Sequence, residues 1–212
     1  MSSDNTIRTF LAIEIPKEIL EQFERVQYRL GRSMTGVIRW AKPGSIHLTL
    51  KFFGNITDRD IRNITDALQA RAPALGPVPV AIGTLGVFPN LSRPRVLWVG
   101  VTEGVKELSA LQAQVETTLE AEGFTREERP FRPHLTLGRM KADRQIDGLD
   151  KAVEDHKGFA AGKFTATEMI LFRSDLKPTG PVYTPLAKFK LGVLRPSSLI
   201  FLSPPRESPN FP

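Results

Sequence analysis

The chain contains no cysteine, which removes disulfide bridges, thiol nucleophiles and cysteine-based zinc sites in one step. A reducing, cytoplasmic setting is the expected location. No apolar run approaches the roughly 18 to 20 residues needed to span a bilayer, so no membrane partner is expected. Residues 1–6 carry neither the basic nor the apolar region of an export signal, and the protein is expected to stay unexported. Histidine is scarce, with three in the chain, and neither a His-Glu-x-x-His pattern nor clustered carboxylates accompany them. The expectation is a site without metal or other cofactor.

What is present describes an ordinary folded unit. With 212 residues, 41% of them hydrophobic and 25% charged, the chain fits one globular domain that hides roughly 70% of its unfolded surface. A monomer is expected, its domain spanning 7–194. Residues 195–212 hold five prolines and no periodicity, which predicts a mobile tail. Lysine and arginine number 29 against 23 aspartates and glutamates, a net charge of +6. That mild excess favours polyanionic partners such as nucleic acid.

The chain also repeats itself. Residues 10–15 (FLAIEI) have a counterpart in 96–101 (VLWVGV), 86 positions on, both rich in the branched and aromatic residues of strands. After the first run, Pro16 and then Ile19, Leu20, Phe23, Val26 and Leu30 at helical spacing predict a helix over 17–30. After the second, Val105, Leu108, Leu111, Val115 and Leu119 predict a helix over 103–122, with Gly123 as its C-terminal cap. Strand-like segments 45–53 and 132–139 come next. An amphipathic helix trails each, one carrying Ile61, Ile64 and Leu68, the other beginning about Asp143 and carrying Ile146, Leu149 and Val153. Strand-like segments 78–87 and 164–173 complete the two units, and 183–191 adds a closing strand. The fold class is therefore α+β, with two pseudo-symmetric lobes around a central cleft, each an antiparallel sheet with helices packed outside.

Two of the three histidines open an identical His-Leu-Thr-Leu, at His47 and His134, 87 residues apart at equivalent places in the repeat. Along a strand, residues two apart share a face. His47 and Thr49 are thus displayed together over the anchoring Leu48 and Leu50, and His134 and Thr136 over Leu135 and Leu137. Imidazole titrates near neutrality, so of two rings one accepts a proton while the other donates one. In-line displacement at phosphorus needs that pair, with the base on the attacking oxygen and the acid on the leaving oxygen. A threonine hydroxyl beside each ring can bond a non-bridging oxygen, where charge grows in the transition state. The third histidine, His156, falls at a helix end before Gly158, where imidazole commonly meets carbonyls, and is given no catalytic role.

With these residues in hand, the sequence resembles the two-histidine (2H) phosphoesterase superfamily, whose signature is two His-x-Thr-x motifs on facing lobes. Within it the likeness is to the bacterial and archaeal RNA 2′,3′-cyclic phosphodiesterases, also called 2′-5′ RNA ligases. It rests on residues 8–16 (RTFLAIEIP), Trp40 ahead of 47–54 (HLTLKFFG), 96–100 (VLWVG) and 131–139 (FRPHLTLGR), and covers roughly residues 7 to 191. The resemblance implies metal-independent opening of an RNA 2′,3′-cyclic phosphate to a 2′-phosphomonoester. It also implies His134 as proton acceptor, His47 as proton donor, and Thr49 and Thr136 as phosphate ligands. Two further substrate contacts lie five residues past each histidine, at Phe52 and Arg139. Strict alternation instead puts Lys51 and Gly138 on the histidine face, so Phe52 and Arg139 reach the cleft only if the strands bulge. Arg132 is a further candidate for phosphate.

Two other classes stay open at this point. One is a phosphodiesterase for another small cyclic or 2′-5′-linked nucleotide, with 2′-5′ ligation as a side reaction of the same transfer. The other is a catalytically silent RNA-binding module, against which the two intact His-Thr pairs weigh, since binding alone does not require imidazole at both places.

Overall fold

The computed structural model describes residues 6–141, 146–178 and 180–192. The expected tail at 195–212 and the expected helix start at 143 lie outside them. In chain order the elements are β1 (Ile7–Glu14), α1 (Lys17–Ser33), β2 (Ile38–Trp40), β3 (His47–Ile56), α2 (Asp58–Arg71), β4 (Val78–Phe88) and β5 (Val96–Glu103). They continue with α3 (Val105–Ala121), β6 (His134–Met140), α4 (Leu149–Asp155), β7 (Ala160–Ala166), β8 (Glu168–Lys177) and β9 (Gly180–Lys190). Among the described residues, no helix is long and apolar enough to cross a membrane.

The helices form where the apolar stripes fall. Ile19, Phe23, Val26 and Leu30 are the buried face of α1, with Pro16 directly before its first turn. Leu108, Leu111, Val115 and Leu119 are buried on α3, and Gly123 just past its end takes a left-handed φ of 87°. Thr57 and Asp60 close a capping box at the start of α2, which satisfies two amides left without helical partners. The last helix is shorter than its stripe suggests. Asp147 pairs with Thr35 in an isolated bridge and Gly148 adopts φ 78°, so α4 starts only at Leu149.

Both sheets are antiparallel throughout. The first runs β3-β1-β8-β9 and the second β2-β6-β5-β4-β7. Setting β1 against β5 matches β3 with β6, β8 with β4 and β9 with β7, so the two sheets repeat one order. In each sheet one inner strand comes from the other repeat: β4 pairs with β5, and β8 with β1. One apolar core runs through both sheets and all four α-helices.

The expected strand over 164–173 is two strands that part at Thr167 and enter different sheets. The physical reason lies in their burial. β7 alternates, as a strand covered on one face does, whereas Met169, Ile170, Leu171 and Phe172 in β8 are buried in succession. Met169 and Leu171 enter the main core, while Ile170 and Phe172 join Phe10 and Ala12 in a second cluster on the opposite face. β2 was not expected, because three residues are too short to show a period.

One ion pair ties the halves together inside the core. Lys51 on β3 donates to Glu116 Oε2 on α3 at 2.6 Å and to the Thr125 carbonyl at 2.8 Å. Gln112 Nε2 donates to the second Glu116 oxygen at 3.0 Å. All three side chains are buried, so removing one charge strands the other in a medium that solvates it poorly. Glu116→Leu is expected to lower unfolding free energy by about 3 kcal/mol, and Lys51→Met with Glu116→Leu to recover most of it. Urea denaturation of the wild type, both single variants and the double variant closes the cycle; a double variant no better than the singles removes the coupling.

Candidate active site

The histidine strands do not alternate strictly, and the departure shapes the site. Opposite β1 the register steps from Ala12↔Thr49 to Leu11↔Lys51, leaving Leu50 as an extra residue. Opposite β5 it steps from Trp98↔Thr136 to Leu97↔Gly138, leaving Leu137 as the extra residue. Each strand therefore bulges at the fourth residue of its motif. Leu50 and Lys51 are both buried, as are Leu137 and Gly138, and the next side chains, Phe52 and Arg139, return to the histidine face and are exposed. The condition for their reaching the cleft is met.

The two bulges are held differently. Lys51 turns into the core to its ion pair, while the matched position is Gly138, where a Cβ would meet Ile38 Cγ2 at 2.7 Å and Trp40 at 3.2 Å. Glycine there lets β2 lie close. The Leu137 carbonyl, exposed by the bulge, accepts from the Ala41 amide at 2.8 Å and from Gln27 Nε2 at 2.9 Å.

Both imidazoles are fixed in the same way. His47 Nδ1 lies 3.1 Å from the Ser45 carbonyl and His134 Nδ1 lies 2.7 Å from the Arg132 carbonyl. A carbonyl only accepts, so each Nδ1 carries the hydrogen and each neutral ring keeps a free lone pair on Nε2. Thr49 and Thr136 are half-buried on the same faces as their histidines.

The surroundings of the rings differ. His47 stacks on Phe10, with centroids 4.5 Å apart, and meets Tyr183 edge-on at 5.1 Å. Phe172 and Tyr183 also pack on Phe10, making an aromatic floor under His47. Burial in this setting lowers the His47 pKa to about 4, against the opposing effect of its bond to the Ser45 carbonyl. His134 meets Phe88 edge-on at 5.0 Å, with Trp98 beside Phe88.

Although they belong to different sheets, β3 and β6 approach each other, with Cα atoms within 8 Å. Burial raises the Tyr183 pKa, and the charges of Arg139 and Arg8 act against it. Arg132 is exposed beside His134, its carbonyl committed to that ring. His156 lies at the end of α4, where its Nδ1 donates to the Ala152 carbonyl at 2.8 Å, as the sequence suggested. Among the described residues, no group of three or more His, Asp or Glu side chains converges on a point.

The residues that sequence reasoning missed are the aromatic floor. Phe10, at the end of a recognised strand, was available as a cleft-face position. Phe172 and Tyr183 were not, since their place depends on β8 and β9 joining the first sheet.

Comparison with known proteins identifies the family and the fold. The family model described as the 2′-5′ RNA ligase superfamily matches residues 10–178. A Methanothermobacter thermautotrophicus protein named RNA 2′,3′-cyclic phosphodiesterase is 34% identical over 87% of this chain and 99% of its own length. An Aquifex aeolicus protein of the same name is 31% identical over 88% of this chain and 98% of its own. Among solved structures, a Thermus thermophilus protein superposes with a TM-score of 0.70 at 27% identity, covering 89% of this chain and 100% of that one. E. coli LigT in its apo form shares the fold with a TM-score of 0.67 at 21% identity, covering 89% of this chain and 99% of that one. The fold is that of the two-histidine phosphoesterases. The chain belongs to the 2′-5′ RNA ligase superfamily.

The lowered His47 pKa has a consequence for stability. The folded protein prefers the neutral ring, so this contribution is complete above the ordinary value of 6.5 and is lost as pH falls through about 4. His47→Phe, which keeps the packing without titrating, is expected to lose that part of the acid sensitivity. Urea denaturation of both proteins at steps from pH 7 to pH 4 measures it; parallel stability curves would contradict the assignment.

Proposed function

We propose that the protein hydrolyses the 2′,3′-cyclic phosphodiester ends of RNA to 2′-phosphomonoesters by paired-histidine acid–base catalysis without a metal, acting as a cytoplasmic monomer. The observation that carries this reading is the matched pair of imidazoles, each tied through Nδ1 to the carbonyl two residues back and each keeping Nε2 free, on strands β3 and β6 that approach each other. Simple binding has no need of two rings held in the same tautomer.

In the reaction, His134 Nε2 takes a proton from water as its oxygen attacks phosphorus. The bond from phosphorus to the 3′ oxygen breaks, and His47 gives its proton to that oxygen. The 2′ ester bond remains, and the two rings exchange protonation states until solvent resets them. Thr49 and Thr136 donate to the non-bridging oxygens, Arg139 contacts the RNA strand and Phe52 offers a face to a base. A 5′-hydroxyl in place of water yields a 2′-5′ phosphodiester, so ligation is a side reaction of the same machinery.

His47 must hold a proton to act as the acid, yet in the free protein burial keeps it neutral above about 4. The phosphodiester anion arriving beside the ring opposes that effect, since a nearby negative charge favours imidazolium. The same lowered pKa favours the exchanged assignment, with His47 as base. A leaving group that needs no acid separates the two: a cyclic ester with a 3′ sulfur in place of oxygen should restore turnover to the variant lacking the acid. Rescue of His47→Ala supports the assignment given; rescue of His134→Ala reverses it.

The founding test is hydrolysis, in EDTA, of an oligonucleotide ending in a 2′,3′-cyclic phosphate. Wild type should give the 2′-phosphomonoester, and His47→Ala and His134→Ala should each lose roughly a hundredfold to ten-thousandfold in kcat. No turnover by folded wild type, or turnover indifferent to both substitutions, moves the silent RNA-binding reading to the front.

A further inference from the structure

β2 pairs antiparallel with the far half of β6, Ile38 with Met140, Arg39 with Arg139 and Trp40 with Gly138. Ile38 and Trp40 lie over the core side of Gly138. Arg39 and Arg139 therefore project together from the opposite face, the face of His134 and Thr136, and both are exposed. Like charges directly opposite each other in a ladder repel. A carboxylate between them would relieve this, but among the described residues neither arginine forms a salt bridge or a side-chain hydrogen bond. Two arginines set opposite each other by register, with no counter-ion among the described residues, are complementary to a shared phosphate.

We take that phosphate to be a second one, away from the histidines. At about 3.3 Å of rise per residue, and allowing one interval for the bulge, the Cα of Arg139 lies roughly 13 Å along β6 from that of His134. Arg39 is one strand further out. Neighbouring phosphates of a strand are closer together than this, and the length of an arginine side chain covers the remainder.

Resting on the RNA-end reading above, we propose that Arg39 and Arg139 together hold the phosphodiester immediately 5′ of the terminal nucleotide. Arg39 is then a specificity residue that favours an RNA strand over a free cyclic mononucleotide, which has no phosphate at that place.

The test compares wild type, Arg39→Ala and Arg39→Lys on two substrates, a nucleoside 2′,3′-cyclic monophosphate and a trinucleotide with the same cyclic end. In Arg39→Ala the ratio of kcat/KM, trinucleotide over mononucleotide, falls about tenfold. The dependence of log kcat/KM on log salt for the trinucleotide becomes shallower by about one. Arg39→Lys keeps the charge without the planar fork and lies between. Thermal unfolding confirms folding, and loss of the like-charge pair should leave Tm no lower than that of wild type. An unchanged ratio in a folded Arg39→Ala overturns this inference alone, with wild-type turnover leaving the RNA-end reading in place. A wild type that turns over neither substrate overturns both.

Discussion

β4 leaves the first repeat to pair with β5, and β8 leaves the second to pair with β1, so each sheet depends on a strand supplied by the other half of the chain. Neither repeat can bury its own apolar strands without the other, and the two lobes form one cooperative unit around one core. The exchange also determines where the motifs lie. With β1 and β5 already flanked on one side by the exchanged strands, β3 and β6 take the other side of each and meet where the two sheets approach. The approach of the two motif strands thus follows from the connectivity. The Lys51–Glu116 pair reinforces it, joining a strand of one sheet to the helix that follows the central strand of the other.

Within that frame the bulge does the fine placement. A strand that alternated strictly would present His, Thr and then Lys51 or Gly138 to the cleft. One extra leucine in each strand turns those residues inward and brings out Phe52 and Arg139 instead. The repeats diverge at this same step, because the position turned inward is a lysine in one and a glycine in the other. Lysine supplies the tie to α3; glycine makes room for β2. One ancestral geometry thus carries two different attachments, and the attachment of β2 is what sets Arg39 beside Arg139.

Much of this was legible from the residues. The repeat, the helical stripes and the face shared by each histidine with its threonine all follow from period and spacing, which local sterics impose on the chain. The division of 160–177 into two strands was not, since a half-covered strand and a fully covered one form a continuous run in sequence and separate only through the sheets they join. The bulges were legible only as a condition. Whether an apolar residue after His-Leu-Thr is an ordinary core leucine or an extra one depends on the partner strand, and pattern along one strand carries no information about its neighbour.

The repeat also accounts for how two equal motifs can serve unequal roles. Each ring has the same bond from Nδ1 to the carbonyl two residues back, a local feature that the repeated sequence reproduces. What differs comes from elsewhere: Phe10 and Tyr183 enclose His47, while His134 meets the edge of Phe88. Burial lowers the proton affinity of His47 by destabilising its charged form. Displacement at phosphorus requires one imidazole to begin without its second proton and the other with it, so for His47 to be the acid the charge of the bound phosphodiester has to offset the burial of its ring. Local sequence makes the pair alike in orientation, and the strands packed around them from distant parts of the chain make their surroundings unlike.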